Sequence, residues 1–355
     1  MAFSDSNPLI TTIIPTYHRP KLLRRAIRSV LAQTYPHFQV NVYDNASGDE
    51  TATVVGALAQ ADPRVKYHCH AVNIGGLKNF AYGMEHVDTP FFSILSDDDV
   101  LLPKFYETAL EGFAKYPEAL FSSLAGIIMS EKGTVLEIPV LDWRPGLYHP
   151  PEGLLATLKY GYPVWTAMLF RREALEKLGG LDEEVGPESD SDFHLRVSAR
   201  FPIVISQEPG AVVVLHVDSA AWSWSLGKIW PGRLKMVRNL TEDERIPAEV
   251  RAYAGRVMTK VLISDLFIRN GFVNLLRGNW DEAFKAAEVL RSHFKLRIRS
   301  SLLYMSAWAC QHFPPFRYVF LGLRAGRRFG VHITKKHRRL QREYGGYARF
   351  LEVTD

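Results

Sequence analysis

The chain has 355 residues, of which 47% are apolar and 23% are charged. This ordinary globular composition suffices for one large domain or two smaller ones. No segment approaches eighteen consecutive apolar residues, and the first residues, MAFSDSNPL, lack the basic and apolar regions of a signal peptide. Neither a membrane-spanning helix nor a secretory leader is therefore expected.

Two cysteines, Cys69 and Cys310, lie far apart in the sequence. This favours reduced, packed thiols over a disulfide framework, and hence a cytoplasmic protein.

The net charge of +5 conceals an asymmetry. Residues 291–355 hold 14 Lys or Arg and 3 Asp or Glu, whereas the remaining residues hold 29 and 35. An acidic body with a basic tail indicates an anionic partner for the tail, and nucleic acid and an anionic membrane surface both qualify. A solvated basic helix without a partner is the alternative.

Over the first 125 residues, short β-branched runs alternate with helical patterns. The pattern predicts strands at Ile10–Ile14, Gln39–Tyr43, Val65–Cys69 and Phe91–Leu95, and helices at Leu22–Leu31, Thr51–Gln60, Leu77–His86 and Lys104–Tyr116. Strands separated by helices of this length imply βαβ units and a mostly parallel α/β sheet with helices on both faces. Such sheets bind ligands beyond the carboxyl ends of their strands.

The pattern changes after residue 125. Residues 126–165 are irregular and rich in Pro and Gly, and the sequence then predicts a strand at Ala167–Phe170, a helix at Asp192–Arg200 and a strand at Ala211–Leu215. From about residue 246 the pattern is helical nearly throughout. We therefore predict a boundary near Trp230, with an α/β domain over 1–230 and a basic helical region over 231–355.

Four loops that follow predicted strands carry distinctive polar side chains. They are Pro15–Pro20, Asp44–Asp49, Asn73–Asn79 and Ser96–Asp99. The last is the most specific, because three consecutive carboxylates repel one another and their desolvation costs free energy unless a cation is present. Oxygen ligands suit Mg²⁺ or Mn²⁺. An exposed acidic helix start is the alternative.

Two further features lie downstream. The acidic segment Glu188–Asp192 precedes a helix, so that one carboxylate could serve as a general base and another could cap the helix. His216 follows a strand and could ligate the metal, although a lone histidine is more often structural.

In this order, the motifs resemble those of the inverting glycosyltransferases with the GT-A fold, in particular family 2. The matching segments are Pro15–Arg19, Val42–Ser47, Asn73–Gly75, Leu95–Asp99 as a variant of the Asp-x-Asp signature, and Ser189–Arg196. Five ordered matches over residues 9–216 are specific. The resemblance implies a nucleotide-diphosphate sugar donor, with a UDP-sugar favoured, and a glycan or lipid-linked acceptor in bacterial surface polysaccharide synthesis.

The resemblance also implies roles for individual residues. It assigns the catalytic base to Asp190 and the metal to Asp98 and Asp99, which His216 would join. The nucleotide-sugar pocket would contain Pro15, Thr16, Tyr17, Arg19, Asp44, Asn73, Lys78, Ser96 and Asp97. Ser96 stands where many members carry the first Asp of the signature. Ser189 replaces the usual Glu, which leaves Asp192 and Glu188 as rivals for the base.

Aromatic residues lie near the predicted site and in the tail. Trp143, Trp165, Trp222, Trp224 and Trp230 could stack on sugar rings or pack in the core. The tail segments Leu302–Ala309 and Phe316–Leu321 lie among basic residues, which suits an interfacial helix on anionic lipid and peripheral attachment at the inner face of the cell membrane. A helical packing domain or a homo-oligomer interface is the alternative.

The basic tail leaves a second class of function open. No recognised nucleic-acid-binding motif accompanies the tail, so nucleic acid is not expected as a partner. The rival function is that of a catalytically inactive transferase-fold protein that binds a nucleotide sugar or nucleic acid.

Overall fold

The computed structural model describes residues 10–216, 225–316, 318 and 335–352. The chain divides into two compact units. The sheet unit comprises residues 1–183, 189–219 and 339–355, and the helical unit comprises residues 184–188 and 220–338.

The sheet unit contains a ten-stranded mixed sheet. Its strands are β1 (Ile10–Thr16), β2 (Phe38–Asp44), β3 (Val65–Cys69), β4 (Phe91–Ile94), β5 (Val100–Leu101), β6 (Phe121–Ser130), β7 (Val135–Glu137), β8 (Gly146–Tyr148), β9 (Met168–Arg171) and β10 (Ile203–Leu215). They lie in the order β3-β2-β1-β4-β9-β6-β10-β5, with β7 beside β6 and β8 beside β10. The first four strands of this order are parallel, and β9 is antiparallel to both of its neighbours.

Helices connect the strands of this unit. They are α1 (Pro20–Leu31), α2 (Thr51–Ala61), α3 (Gly76–Glu85), α4 (Phe105–Lys115), α5 (Glu152–Tyr160), α6 (Glu173–Leu178) and α7 (Ser189–Arg200). Alternate side chains of β1 enter two separate cores, because Ile10 and Ile14 pack in one cluster and Ile13 packs in the other. The predicted α/β sheet with apolar packing on both faces is therefore confirmed.

The end of the chain returns to the sheet unit. Helix α13 (Lys335–Tyr344) and a 3₁₀ turn at Gly345–Leu351 lie at the end of the described residues. Leu340 is buried in the core of the sheet unit, and the side-chain oxygen of Gln341 accepts a 2.7 Å hydrogen bond from the backbone N–H of Val135. The predicted second domain, 231–355, thus differs from the observed division, because these apolar contacts hold residues 339–352 against the sheet.

The helical unit is built from five α-helices and a π-helical segment within its described residues. They are α8 (Leu226–Thr241), α9 (Ala248–Asp265), the π-helix Leu266–Val273, α10 (Asn274–Arg277), α11 (Trp280–Ser292) and α12 (Arg297–His312). Their common core includes Leu226, Leu266 and Leu290. The boundary predicted at Trp230 falls inside α8, which continues through Pro231 although proline cannot donate a backbone hydrogen bond there.

Neither cysteine forms a disulfide; Cys310 is buried as expected, whereas Cys69 is exposed. Among the helices of the described ranges, none combines the length and the apolarity that a bilayer crossing needs.

A buried histidine makes the stability of the sheet unit sensitive to acid. Burial lowers the pKa of His194 from 6.5 to about 3, and the ring packs beside Thr157 with 3.0 Å between Nε2 and Oγ1. Between pH 6.5 and 3, His194 therefore binds a proton in the unfolded chain but not in the folded chain. We predict that the free energy of unfolding falls by up to about 1.4 kcal/mol per pH unit between pH 6.5 and 3 from this residue.

Denaturant titrations at several pH values check this expectation. His194→Gln cannot ionise, so its unfolding free energy should depend less steeply on pH than that of the parent in this window. Identical slopes for the two chains would show that His194 does not carry the acid sensitivity.

Candidate functional site

Strand register brings the polar loops to one edge of the sheet. Thr16 at the end of β1 pairs with Asp44 at the end of β2, and Asp44 pairs with Cys69 at the end of β3. Ile13 pairs with Ile94 at the end of β4, so the loop Ser96–Asp99 starts beside residues 15–19. The four loops singled out from the sequence therefore lie at the same carboxyl edge, where sheets of this kind bind ligands.

Asp44 organises the loop after β2. One carboxylate oxygen accepts hydrogen bonds from the backbone N–H and the hydroxyl of Ser47, at 3.0 and 2.6 Å. The other accepts a 2.6 Å bond from the Tyr67 hydroxyl, and burial together with this contact raises the pKa of the phenol. Asp44 is buried and rigidly held, so it shapes the wall of the site.

The loops after β2 and β3 are joined by side-chain amides. Asn45 donates a 2.9 Å hydrogen bond to the Asn73 side chain and accepts one from the backbone N–H of Ile74 at 2.8 Å. Asn73 also accepts from the N–H of Gly75, whose φ of 89° suits glycine. Lys78 is exposed in the first turn of α3. The loop after β3 is thereby fixed while its lysine stays accessible.

Asp97 is held from the loop after β1. It accepts a 2.7 Å hydrogen bond from Thr16 Oγ1, and Arg19 Nη1 lies 3.2 Å from its other oxygen. Burial raises the pKa of Asp97 against the opposing effects of Thr16 and Arg19. Pro15 lies in the same buried strand end, Tyr17 is 44% exposed, and Ser96 is half-buried beside Asp97.

Asp98 faces both a guanidinium and an imidazole. Its Oδ2 lies 2.7 Å from Arg19 Nη1 and 3.2 Å from His216 Nε2. His216 Nδ1 lies 2.5 Å from a carboxylate oxygen of Glu131 at the end of β6. In a neutral ring, Nδ1 therefore carries the proton and donates to Glu131, and the Nε2 lone pair points towards Asp98.

The pair Asp98–His216 fits a divalent cation. His216 Nε2 is buried without a hydrogen-bond partner among the described residues. Two ligands that bind one octahedral Mg²⁺ or Mn²⁺ at about 2.1 Å lie about 3 Å apart, close to the observed 3.2 Å. Within the described part of the chain, no three His, Cys, Asp or Glu side chains form a preformed metal cluster. Two protein ligands match the usual magnesium arrangement, in which substrate phosphates and water supply the rest.

Asp99 has a different environment from Asp98. It is 3% exposed, and its oxygens accept hydrogen bonds from the Thr166 hydroxyl at 2.7 Å and the backbone N–H of Val214 at 3.0 Å. Burial, helped by the charge of Asp98, raises its pKa to about 7. Both carboxylate oxygens of Asp99, which is predicted as a metal ligand, therefore accept hydrogen bonds within the protein. These bonds link the loop after β4 to Thr166 and to Val214.

The acidic segment near α7 contains one exposed carboxylate. Asp190 is exposed, and its side chain accepts a 2.6 Å hydrogen bond from the N–H of Ser191. Asp192 is fully buried and bonded to Arg196 at 2.6 Å. In the helical unit, Glu188 is bonded to Arg233 at 2.7 Å. Both rivals of Asp190 are thus engaged in ion pairs.

The tryptophans near the predicted site that the structure describes pack against other side chains. Trp143 is 1% exposed, and Trp165 packs against Phe170 and Phe193. Trp230 contacts Phe294 within the helical unit. Trp222 and Trp224 lie outside the described residues.

Two residues of the site were missed by sequence reasoning. Glu131 orients His216, and Thr166 holds Asp99. Glu131 follows β6, which pairs in parallel with β10 so that Ser130 lies beside Leu215. That pairing joins segments 85 residues apart, and neither segment carries a local signal for it.

Comparison with known proteins agrees with this architecture. The S. aureus protein TarS, residues 1–349 in complex with UDP-GlcNAc, superposes with a TM-score of 0.64 at 14% identity, over 89% of this chain and 92% of that one. The fold is therefore the GT-A fold of glycosyltransferases. Residues 11–179 match the sequence model of glycosyl transferase family 2. This segment, nearly half of the chain, therefore carries the sequence pattern of that family, as the motifs indicated.

Curated relatives point the same way. The chain is 32% identical over 212 residues to the O-antigen biosynthesis protein RfbC of Myxococcus xanthus. This alignment covers 54% of this chain and 16% of that protein. It is 33% identical over 112 residues to the GalNAc(5)-diNAcBac-PP-undecaprenol beta-1,3-glucosyltransferase of Campylobacter jejuni. This second alignment covers 30% of this chain and 36% of that protein. The chain thus matches less than half of the length of each relative.

The different environments of Asp98 and Asp99 generate a stability prediction. Asp99→Ala leaves two buried donors without an acceptor, so the free energy of unfolding should fall by about 2–4 kcal/mol. Asp98→Ala frees Arg19, which solvent can reach, and the loss should stay below about 1 kcal/mol. Chemical denaturation of the two variants without metal checks this. Equal losses would show that Asp99 is not the structural carboxylate.

Proposed function

We propose that the protein is an inverting, metal-dependent glycosyltransferase that uses a nucleotide-diphosphate sugar, with a UDP-sugar favoured. The observation that carries the proposal is the 3.2 Å approach of Asp98 Oδ2 and His216 Nε2, with Glu131 orienting the imidazole. These two candidate metal ligands lie at the carboxyl edge of a GT-A sheet, where a donor diphosphate would be recognised.

Donor binding is assigned to the loops after β1, β2 and β3. The exposed ring of Tyr17 offers a face to the nucleotide, and Asp44, Asn73 and Asp97 are held by neighbours in fixed positions. Arg19 is 45% exposed in its side chain while it bonds to Asp97 and Asp98. Arg19 and Lys78 provide the cationic side chains that a diphosphate requires.

Metal binding is assigned to Asp98 and His216. A bound Mg²⁺ or Mn²⁺ would neutralise the charge that develops on the leaving nucleotide diphosphate. Glu131 keeps the proton of His216 on Nδ1, so that Nε2 faces the cation as a lone pair. We assign Asp99 a positioning role: its bonds to Thr166 and Val214 fix the backbone that carries Asp98.

Asp190 is the proposed general base. As the exposed carboxylate of its segment, it can take the proton of an acceptor hydroxyl that attacks the anomeric carbon. One base and an in-line displacement give inversion. The named relatives concern O-antigen and undecaprenol-linked glycans, which supports a glycan or lipid-linked acceptor in bacterial surface polysaccharide synthesis.

The metal assignment predicts cation-dependent donor binding. Calorimetry with UDP should show binding that strengthens when Mn²⁺ is present. Asp98→Ala and His216→Ala should each remove most of this strengthening, because each deletes one of the two protein ligands. Glu131→Gln, which keeps the shape but weakens the hold on the imidazole, should lower metal affinity by about 10–100-fold. Near-normal behaviour of both alanine variants would refute the site.

The base assignment predicts a loss of transfer without a loss of binding. Asp190→Asn keeps the side-chain shape but cannot take a proton, so transfer should fall by about 10²–10⁴-fold while UDP binding persists. Activity assays with a panel of UDP-sugars and acceptors measure the first quantity, and calorimetry measures the second. An active Asp190→Asn beside a folded, inactive Asp192→Asn would move the role to Asp192.

A further inference from the structure

Helix α12 of the helical unit exposes an apolar face. Ile298, Leu302 and Met305 recur at helical spacing and are 86%, 53% and 69% exposed. The opposite face is buried through Leu303 and Cys310 in the unit's own core. Scattered apolar residues on a surface are ordinary, but a stripe along one helix is a mark of an interaction surface.

Exposed aromatic residues lie on the same helix and just beyond its end. Tyr304 and Trp308 are 54% and 48% exposed, and Phe313 just beyond the helix is 62% exposed. The rings of Trp308 and Phe313 lie 6.3 Å apart. Exposed Trp and Tyr beside aliphatic side chains are typical of surfaces that meet the boundary between lipid headgroups and acyl chains.

The sequence around the face is basic. Between Glu288 and Glu343 the sequence contains no acidic residue and 13 Lys or Arg. A groove of about 670 Å³ in the same unit is lined by Arg256, Lys260 and Arg299, together with apolar side chains that include Phe267 and Ile268. Arg299 belongs to α12, so the basic groove and the apolar face share a helix.

We propose that the helical unit binds the surface of an anionic lipid bilayer. The apolar face of α12 lies in the headgroup boundary, and Arg256, Lys260 and Arg299 contact lipid phosphates. A second copy of the chain fits less well, because a symmetric interface would bring Arg297 and Arg299 of one copy towards their own equivalents. Segment 339–352, although basic, is committed to the sheet unit through Leu340 and Gln341.

Vesicle co-sedimentation of the full chain tests the proposal. The chain should bind vesicles of phosphatidylcholine mixed with phosphatidylglycerol, and bind phosphatidylcholine alone much less. High salt should weaken binding without abolishing it, because apolar burial is not screened. Arg256→Glu/Lys260→Glu should lower the partition coefficient at low salt by at least about tenfold.

Matched variants separate this surface from general charge. Lys104→Glu/Lys115→Glu makes the same change of net charge at the two ends of α4 in the sheet unit and should leave vesicle binding nearly unaltered. Leu302→Gln/Met305→Gln adds no charge and should remove the salt-resistant fraction, while circular dichroism remains that of the parent.

Three results would overturn the proposal. One is a parent chain that ignores anionic vesicles, and another is an equal effect of the two charge-reversal pairs. The third is a dimeric parent that becomes monomeric in Leu302→Gln/Met305→Gln with vesicle binding unchanged, which would make the face a contact between copies. None of these measurements uses donor or acceptor, so they stand apart from the proposed transferase activity.

Discussion

Three adjacent carboxylates after β4 impose the constraint on which the site depends. Asp97 and Asp99 are buried, and Asp98 is mostly covered, so each must find a hydrogen-bond donor or a positive charge. The three side chains meet this need in different ways. Thr16 and Arg19 serve Asp97, Arg19 and His216 face Asp98, and Thr166 and Val214 serve Asp99.

Meeting that constraint draws distant segments into one edge of the sheet. The loop after β1, the 3₁₀ turn before β9 and the end of β10 all contribute donors to a four-residue loop. The backbone oxygen of Asp98 also accepts from Arg25 of α1. Asp98, the proposed metal ligand, is therefore presented from a loop fixed on every side, which favours a preorganised donor site over one formed on binding.

Local pattern predicted the part of the fold that depends on local physics. From buried β-branched runs, the bounds predicted for β3, Val65–Cys69, match those observed. The bounds predicted for β1, β2 and β4 differ from those observed by at most two residues at each end. Because parallel strands end at a common edge, the loops holding Asp44, Asn73 and Asp97 could be placed together from sequence alone. The family resemblance then implied the roles. Comparison confirms the fold, and the family's sequence model matches residues 11–179.

Long-range pairing could not be predicted in the same way. The antiparallel insertion of β9 between β4 and β6, and the approach of Glu131 to His216, depend on contacts between segments far apart in sequence. The packing of the chain end on the sheet unit could not be predicted either. Leu340 and Tyr344, which make these contacts, are isolated apolar residues within a basic run. The predicted boundary at Trp230 followed a Pro-Gly pair that α8 accommodates near its start.

The most direct test of the central claim is the position of manganese in a crystal of the chain grown with UDP and Mn²⁺. An anomalous difference map identifies the metal, because manganese scatters anomalously far more strongly than carbon, nitrogen or oxygen. We expect a single peak about 2.1–2.3 Å from Asp98 Oδ2 and His216 Nε2, with diphosphate oxygens completing the shell. Manganese bound by Asp99 instead, or UDP bound with no metal near His216, would contradict the assignment.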